Sequence, residues 1–74
     1  MKERMTHNDA IYLSRKLGLP DLYVLSILKF LNKLVVSGLT DENSAVQLIK
    51  YQYGINEYLG TQLVSYYFAK KKIA

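Results

Sequence analysis

Apolar residues return every three or four positions along most of this chain, and Gly, Pro and capping residues cut the pattern into four blocks. The first block predicts a helix from about His7 to Leu17, with Ala10, Leu13, Ser14 and Leu17 on one face. Thr6-His7-Asn8-Asp9 reads as a capping box, Thr6 being the N-cap and Asp9 reaching back to its backbone N–H. Gly18 supplies a left-handed stop. In the second block Pro20 suits the first helical position and Asp21 the positive end of the helix dipole. This helix should run to about Ser37 and end at Gly38. Val24, Leu28, Leu31 and Val35 form its main stripe, and Leu25, Ile27, Leu34 and Val36 widen it to most of the circumference. A helix apolar nearly all round is either central or shared with a partner.

The third block starts with Thr40 as N-cap and Asp41 and Glu42 in the first turn, places Ala45, Leu48, Ile49 and Gln52 on one face, and stops at Gly54. The fourth begins near Asn56 and runs into Lys70, Lys71 and Lys72, cations suited to the negative end of the dipole. Its apolar side is Ile55, Leu59, Leu63 and one of Tyr66 and Tyr67. Alternating β patterning is missing throughout. The expected architecture is all-α: a compact bundle of about four helices in a single domain, residues 1–74, built from helix-turn-helix-like hairpins. Gly18 and Gly54 are expected at positive φ. Ala10-x-x-Leu13 recurs as Ala45-x-x-Leu48, and Gly18-Leu19-Pro20-Asp21 as Gly54-Ile55-Asn56-Glu57. Any two helix–Gly–helix hairpins share such features, so a duplication is the weaker explanation.

Composition narrows the class. A chain of 74 residues buries only about 60% of its unfolded surface. With no Cys, disulfides and thiolate metal sites are excluded. That usage fits a reducing compartment. Met1 to Asp9 is polar, unlike a signal peptide, and the apolar region Leu22 to Val36 is interrupted by Lys29, Asn32 and Lys33. It falls short of the ~20 apolar residues of a membrane span. The expected location is cytoplasmic, away from the membrane.

Chemistry finds little support. His7 is the only histidine and sits at a helix start. Glu3, Asp9, Asp21, Asp41, Glu42 and Glu57 lie mostly at helix starts, where the dipole accounts for them. No Gly-rich phosphate loop, His-x-x-x-His or nucleophile motif is present. The expectation is a protein that is not an enzyme and takes no cofactor or metal.

Charge points elsewhere. The net charge is +4 and the pI about 9.4, which suits acidic surfaces and nucleic acid. Residues 1–37 carry six basic and three acidic groups; residues 38–74 carry four and three. Tyr51, Tyr53, Tyr58, Tyr66 and Tyr67 crowd into the second half. Capping of a small core ranks first among their roles, a protein interface second and base stacking third.

The first hairpin resembles the helix-turn-helix pattern of DNA-binding proteins. Leu13, Leu17, Leu19, Val24 and Ile27 fall on its apolar places, Ser14 on its small place and Gly18 in its turn. The outward places of the second helix, however, hold Pro20, Asp21, Leu22, Leu25 and Ser26, which read bases poorly. The second hairpin aligns Ile49, Tyr53, Ile55, Gly60 and Leu63 with the apolar places. It departs from the pattern at Lys50, in the small place, and at Gly60, in a packed one. Its outward side is better suited to bases. Asn56, Thr61, Gln62 and Ser65 offer groups to base edges, and Lys70, Lys71 and Lys72 offer charge to phosphate. The resemblance implies a small regulator or accessory protein binding duplex DNA, as a homodimer, through the fourth helix. A chain of this size is also similar to small accessory proteins of phages, plasmids or archaeal viruses. The alternative is a protein-binding inhibitor or adaptor acting through its Tyr- and Leu-rich surface. A basic face that includes the fourth helix would favour DNA; scattered charge with an apolar patch would favour a protein partner.

Overall fold

The computed structural model describes residues 7–39 and 41–73, with side chains for 8–39 and 41–70. Four helices follow one another: α1 (His7–Leu17), α2 (Asp21–Val36), α3 (Glu42–Tyr53) and α4 (Glu57–Ile73), with no strand among the described residues. α1 packs on α2 and α3 on α4 as two hairpins, and α2 also touches α3 and α4. The Cα radius of gyration is 11.2 Å, close to the ~11 Å expected of a compact chain this long.

Two turns explain the hairpins. Gly18 has φ +72°, and Leu19 N–H donates to the Ser14 carbonyl at 3.0 Å, closing α1 with a Schellman turn. Gly54 has φ +66°, and its N–H donates to the Lys50 carbonyl at 2.8 Å. Both are left-handed as expected, because a Cβ there would be strained. The first turn is locked further by the Ser14 hydroxyl, which bonds the Asp21 carboxylate. Asp21 therefore ties α1 to the start of α2 as well as facing a dipole.

Some boundaries differ from expectation. Pro20 is the N-cap residue of α2 rather than its first helical residue. The N-cap of α3 is Asp41, whose carboxylate accepts from Ser44 N–H at 3.1 Å and Ser44 Oγ at 2.7 Å. These bonds favour the ionised form, the side-chain bond most, and hold the Asp41 carboxyl below its ordinary pKa. Thr40, expected in that role, lies outside the described residues, as does Thr6, expected to cap α1.

The core forms where the stripes meet. Ala10 and Leu13 of α1, Val24, Ile27, Leu28 and Leu31 of α2, Ala45, Val46 and Ile49 of α3, and Leu63, Val64 and Tyr67 of α4 are buried together. α2 is thus the central helix. On α3 the buried side runs through Ala45, Val46 and Ile49, while Leu48 and Gln52 are exposed. The expected face was rotated by part of a turn. Tyr67, not Tyr66, is the core aromatic of α4, and its hydroxyl donates to Asn32 Oδ1 at 2.9 Å. Burial raises its pKa.

Gly60 is buried where α4 crosses α3. A Cβ at that position would lie 3.3 Å from Val46 Cγ1, 3.5 Å from Lys50 Cγ and 3.7 Å from the Val46 carbonyl oxygen. The glycine that breaks the helix-turn-helix pattern is therefore a close-approach point between helices. Tyr53, on the last turn of α3, joins the two hairpins. Its ring meets Tyr23 edge-on at 5.7 Å and Phe30 at 5.8 Å, while its carbonyl accepts from the Tyr23 hydroxyl at 2.8 Å. That last bond satisfies a carbonyl left over at a helix end.

Candidate nucleic-acid interface

The side chains expected to read bases do not all point the same way. Asn56 Oδ1 accepts from Leu59 N–H at 2.8 Å, so this side chain caps α4. Thr61 and Ser65 are exposed and lie with Tyr58 and Ala69 along one outward ridge. That ridge carries no charge from Tyr58 to Ala69. Gln62 is half-buried, on the side of α4 that also holds Tyr66 and Lys70. Lys70 Nζ lies 3.3 Å from Asp9 Oδ1. Lys71 and Lys72 are in the last turn of α4, and their side chains lie outside the described residues.

A second arrangement, missed from sequence, lies along the α1–α4 seam. Asp9 is 7% exposed and accepts the Tyr66 hydroxyl at 2.5 Å as well as the Lys70 cation. Asp9 thus links α1 to α4 across the bundle, while its expected bond to the Thr6 backbone N–H lies outside the described residues. Burial first, then the bond to Asp9 and its charge, push the Tyr66 hydroxyl up to about 12. Tyr12 packs against Tyr66 with ring centroids 5.6 Å apart. Lys16 Nζ sits 5.8 Å from the Tyr12 ring and Lys70 Nζ 6.0 Å from the Tyr66 ring, within cation–π range. The seam thus runs cation, ring, ring, cation. Tyr12–Lys16 and Tyr66–Lys70 are both i,i+4 pairs, a signal present in the sequence but visible only once α1 and α4 are known to touch.

Pairing decides which charges face outward. Among the described carboxylates, Asp9 is held by Tyr66 and Lys70, Asp21 by Ser14, Asp41 by Ser44, and Glu57 by Lys50 at 3.1 Å. Only Glu42 is without such a bond among the described residues. Arg15, Lys16, Lys29 and Lys33 have no carboxylate partner among the described residues, and all four are exposed. The outward positive excess of the described surface is therefore on the α1–α2 hairpin.

Among the described residues no group of three or more His, Asp or Glu side chains could hold a metal ion, and no helix is long and apolar enough to cross a membrane. No family model, curated protein or solved structure matches this chain, so what the molecule does has to be read from its own residues.

Proposed function

We propose that this protein is a small, non-enzymatic DNA-binding accessory protein that grips duplex phosphates with Arg15, Lys16, Lys29 and Lys33. The observation that carries the reading is the one-sided pairing. Four of six described cations are exposed with no carboxylate in salt-bridge range, all of them on the α1–α2 hairpin, whose only described acids are Asp9, paired with Lys70, and Asp21. Unpaired surface cations gain most from a polyanion, because each phosphate they neutralise releases condensed counterions. Base reading would fall to Thr61, Ser65 and Gln62 on α4, with Lys70, Lys71 and Lys72 beyond them. Asn56, committed to its cap, would contribute little.

A salt titration of duplex binding tests this. The R15Q/K16Q/K29Q/K33Q variant should bind every duplex more weakly, with the salt dependence flattened by roughly 0.9 in slope for each phosphate it no longer neutralises. T61A/Q62A should cost ~1–3 kcal/mol on one preferred sequence and little on random duplex. A wild-type chain with no measurable affinity for any duplex at low salt ends the reading. The rival, a protein-docking module, draws on a different feature. Tyr51 is 89% exposed, and Leu48 and Tyr58 are exposed as well. Loss of a partner on Y51A/L48S, with duplex binding absent, would replace the DNA reading by that one.

A further inference from the structure

Between the middle of α2 and the end of α3 lies a hollow of about 350 Å³, lined by Ser26, Lys29, Phe30, Lys33 and Tyr53. Its size is at the low end of the ~300–1,000 Å³ typical of small-molecule sites. Its walls are set by the fold itself. Phe30 and Tyr53 are half-buried and packed edge-to-face at 5.8 Å. The Tyr53 hydroxyl donates to the Ser26 carbonyl at 3.2 Å and lies 3.1 Å from Ser26 Oγ. Those bonds fix the Tyr53 ring, and its packing on Phe30 positions the second ring, before anything binds, which lowers the ordering cost of binding.

The rim is unusual for a stable helix. Lys29 and Lys33 are an i,i+4 pair of like charges, an arrangement that destabilises a helix. Neither has an acidic partner among the described residues. The negative end of the α2 dipole accounts for Lys33, in the last turn, but not for Lys29, a turn earlier. An anion at the rim would remove the repulsion. The hollow thus offers two cations beside two fixed rings and a hydroxyl.

We infer that this hollow binds a nucleoside phosphate, with Lys29 and Lys33 on the phosphate and the base against Phe30 and Tyr53, as one unstacked nucleotide of a single strand. Both halves of such a ligand are matched. Phosphate takes point charge from lysine, and every base has a face that can meet an aromatic ring. A carboxylate side chain of an acidic peptide would satisfy the lysines and leave the rings unused. A duplex would do the same, since its bases are stacked inward. The site therefore goes beyond the duplex reading, sharing with it only Lys29 and Lys33.

The test uses the full chain and four probes: fluorescein-labelled dA12, a labelled duplex, AMP and poly-glutamate. The wild type should bind dA12 saturably at low salt. K29Q/K33Q, both surface changes, should weaken dA12 at least ten-fold and flatten its salt slope by roughly 0.7, the value for one phosphate no longer neutralised on a single strand. F30L should weaken dA12 by about five-fold or more while leaving the salt slope unchanged, because only a stacking partner is removed. R15Q/K16Q, outside the hollow, should weaken duplex and spare dA12, so that failure of the duplex reading and failure of this one are told apart. AMP binding that is abolished by both K29Q/K33Q and F30L, with dA12 inert, would support the nucleoside-phosphate chemistry and make the source a free nucleotide. The inference is overturned if neither dA12 nor AMP binds, or if K29Q/K33Q binds dA12 as tightly as wild type. It is also overturned if a folded F30L is indistinguishable from wild type, or if poly-glutamate competes as well as unlabelled dA12.

Discussion

Replacing Gly60 by alanine sets two effects of similar size against each other. Glycine in a helix interior is about 0.8–1.0 kcal/mol worse than alanine, so on propensity alone G60A should stabilise the protein. The new Cβ would lie 3.3 Å from Val46 Cγ1 and 3.5 Å from Lys50 Cγ. Lys50 is a flexible side chain and can give way. Val46 is β-branched, 6% exposed and part of the core, so its methyl group moves only with its neighbours. Overpacking a core by one carbon costs about 1–3 kcal/mol when the surroundings cannot relax, and here a few tenths of an ångström are needed. The two effects should nearly cancel, leaving G60A within about 0.5 kcal/mol of wild type.

Val46→Ala removes the opposing methyl group and separates the effects. That change alone should cost roughly 2 kcal/mol, at about 0.8 kcal/mol per buried carbon. In the V46A background the clash is gone, and G60A should now stabilise by about 1 kcal/mol. Urea denaturation of the four proteins forms a double-mutant cycle, with an expected coupling of about 1 kcal/mol. If G60A stabilised both backgrounds equally, Gly60 would not be a close-approach point and the helices would not cross there as described. The total stability expected of a core this small, about 3–5 kcal/mol, leaves V46A folded enough to measure.

The remaining predictions concern the α1–α4 seam and the outer side of α2. Asp9→Ala should cost about 1–3 kcal/mol, because it leaves the half-buried Tyr66 hydroxyl without its acceptor; Asp9→Asn, which keeps an acceptor, should cost less, and equal losses would argue against the bond. Tyr66 titrates near 12 in the fold against 10.0 unfolded, so its contribution is whole below pH 10 and disappears as pH rises through about 12. The stability gap between wild type and Tyr66→Phe should therefore stay level to about pH 10 and then narrow; a gap that widened would contradict the bond to Asp9. Leu22 is 73% and Val36 77% exposed on the outer side of α2, so the chain should self-associate, and L22S/V36S should weaken it. A wild type sedimenting as a monomer at high micromolar concentration would refute that.

Four helices and their order were legible because the punctuation was strong. Gly18, Gly38 and Gly54 each close a helix and take positive φ. The stripe of α2 was clear because almost any rotation of so apolar a helix buries something. The face of α3 was harder. Its sequence mixes Val46, Leu48, Ile49 and Tyr51, and local spacing could not say that α4 would approach at Val46 and Lys50 and that Ala45, Val46 and Ile49 would be buried. That choice depends on Gly60, a residue in another helix, which reads locally as a defect.

Charge was the least legible property, and the reason is physical. The run Lys70-Lys71-Lys72 is the densest basic stretch and attracts attention first. Yet the surface potential depends on which charges remain unpaired, and pairing is tertiary. Lys70 meets Asp9 from the opposite end of the chain, and Lys50 meets Glu57 across the Gly54 turn. Asp9 could leave solvent because Tyr66 and Lys70 replace its hydration, whereas Asp21, bonded to Ser14, stays exposed. Both acids belong to the first hairpin. With Asp9 buried against Lys70, Arg15, Lys16, Lys29 and Lys33 face only Asp21 among the described acids of that hairpin, although along the sequence these four look scattered and partly balanced. Among the described residues the basic surface thus depends on which carboxylates are paired as well as on where lysines cluster. Restoring a free carboxylate to that hairpin, by Ser26→Asp beside Lys29, should therefore weaken nucleic-acid binding more than deleting any single lysine from the far end of α4. The two variants compared at one low salt concentration decide it: the reverse order would return the basic centre to the lysine run.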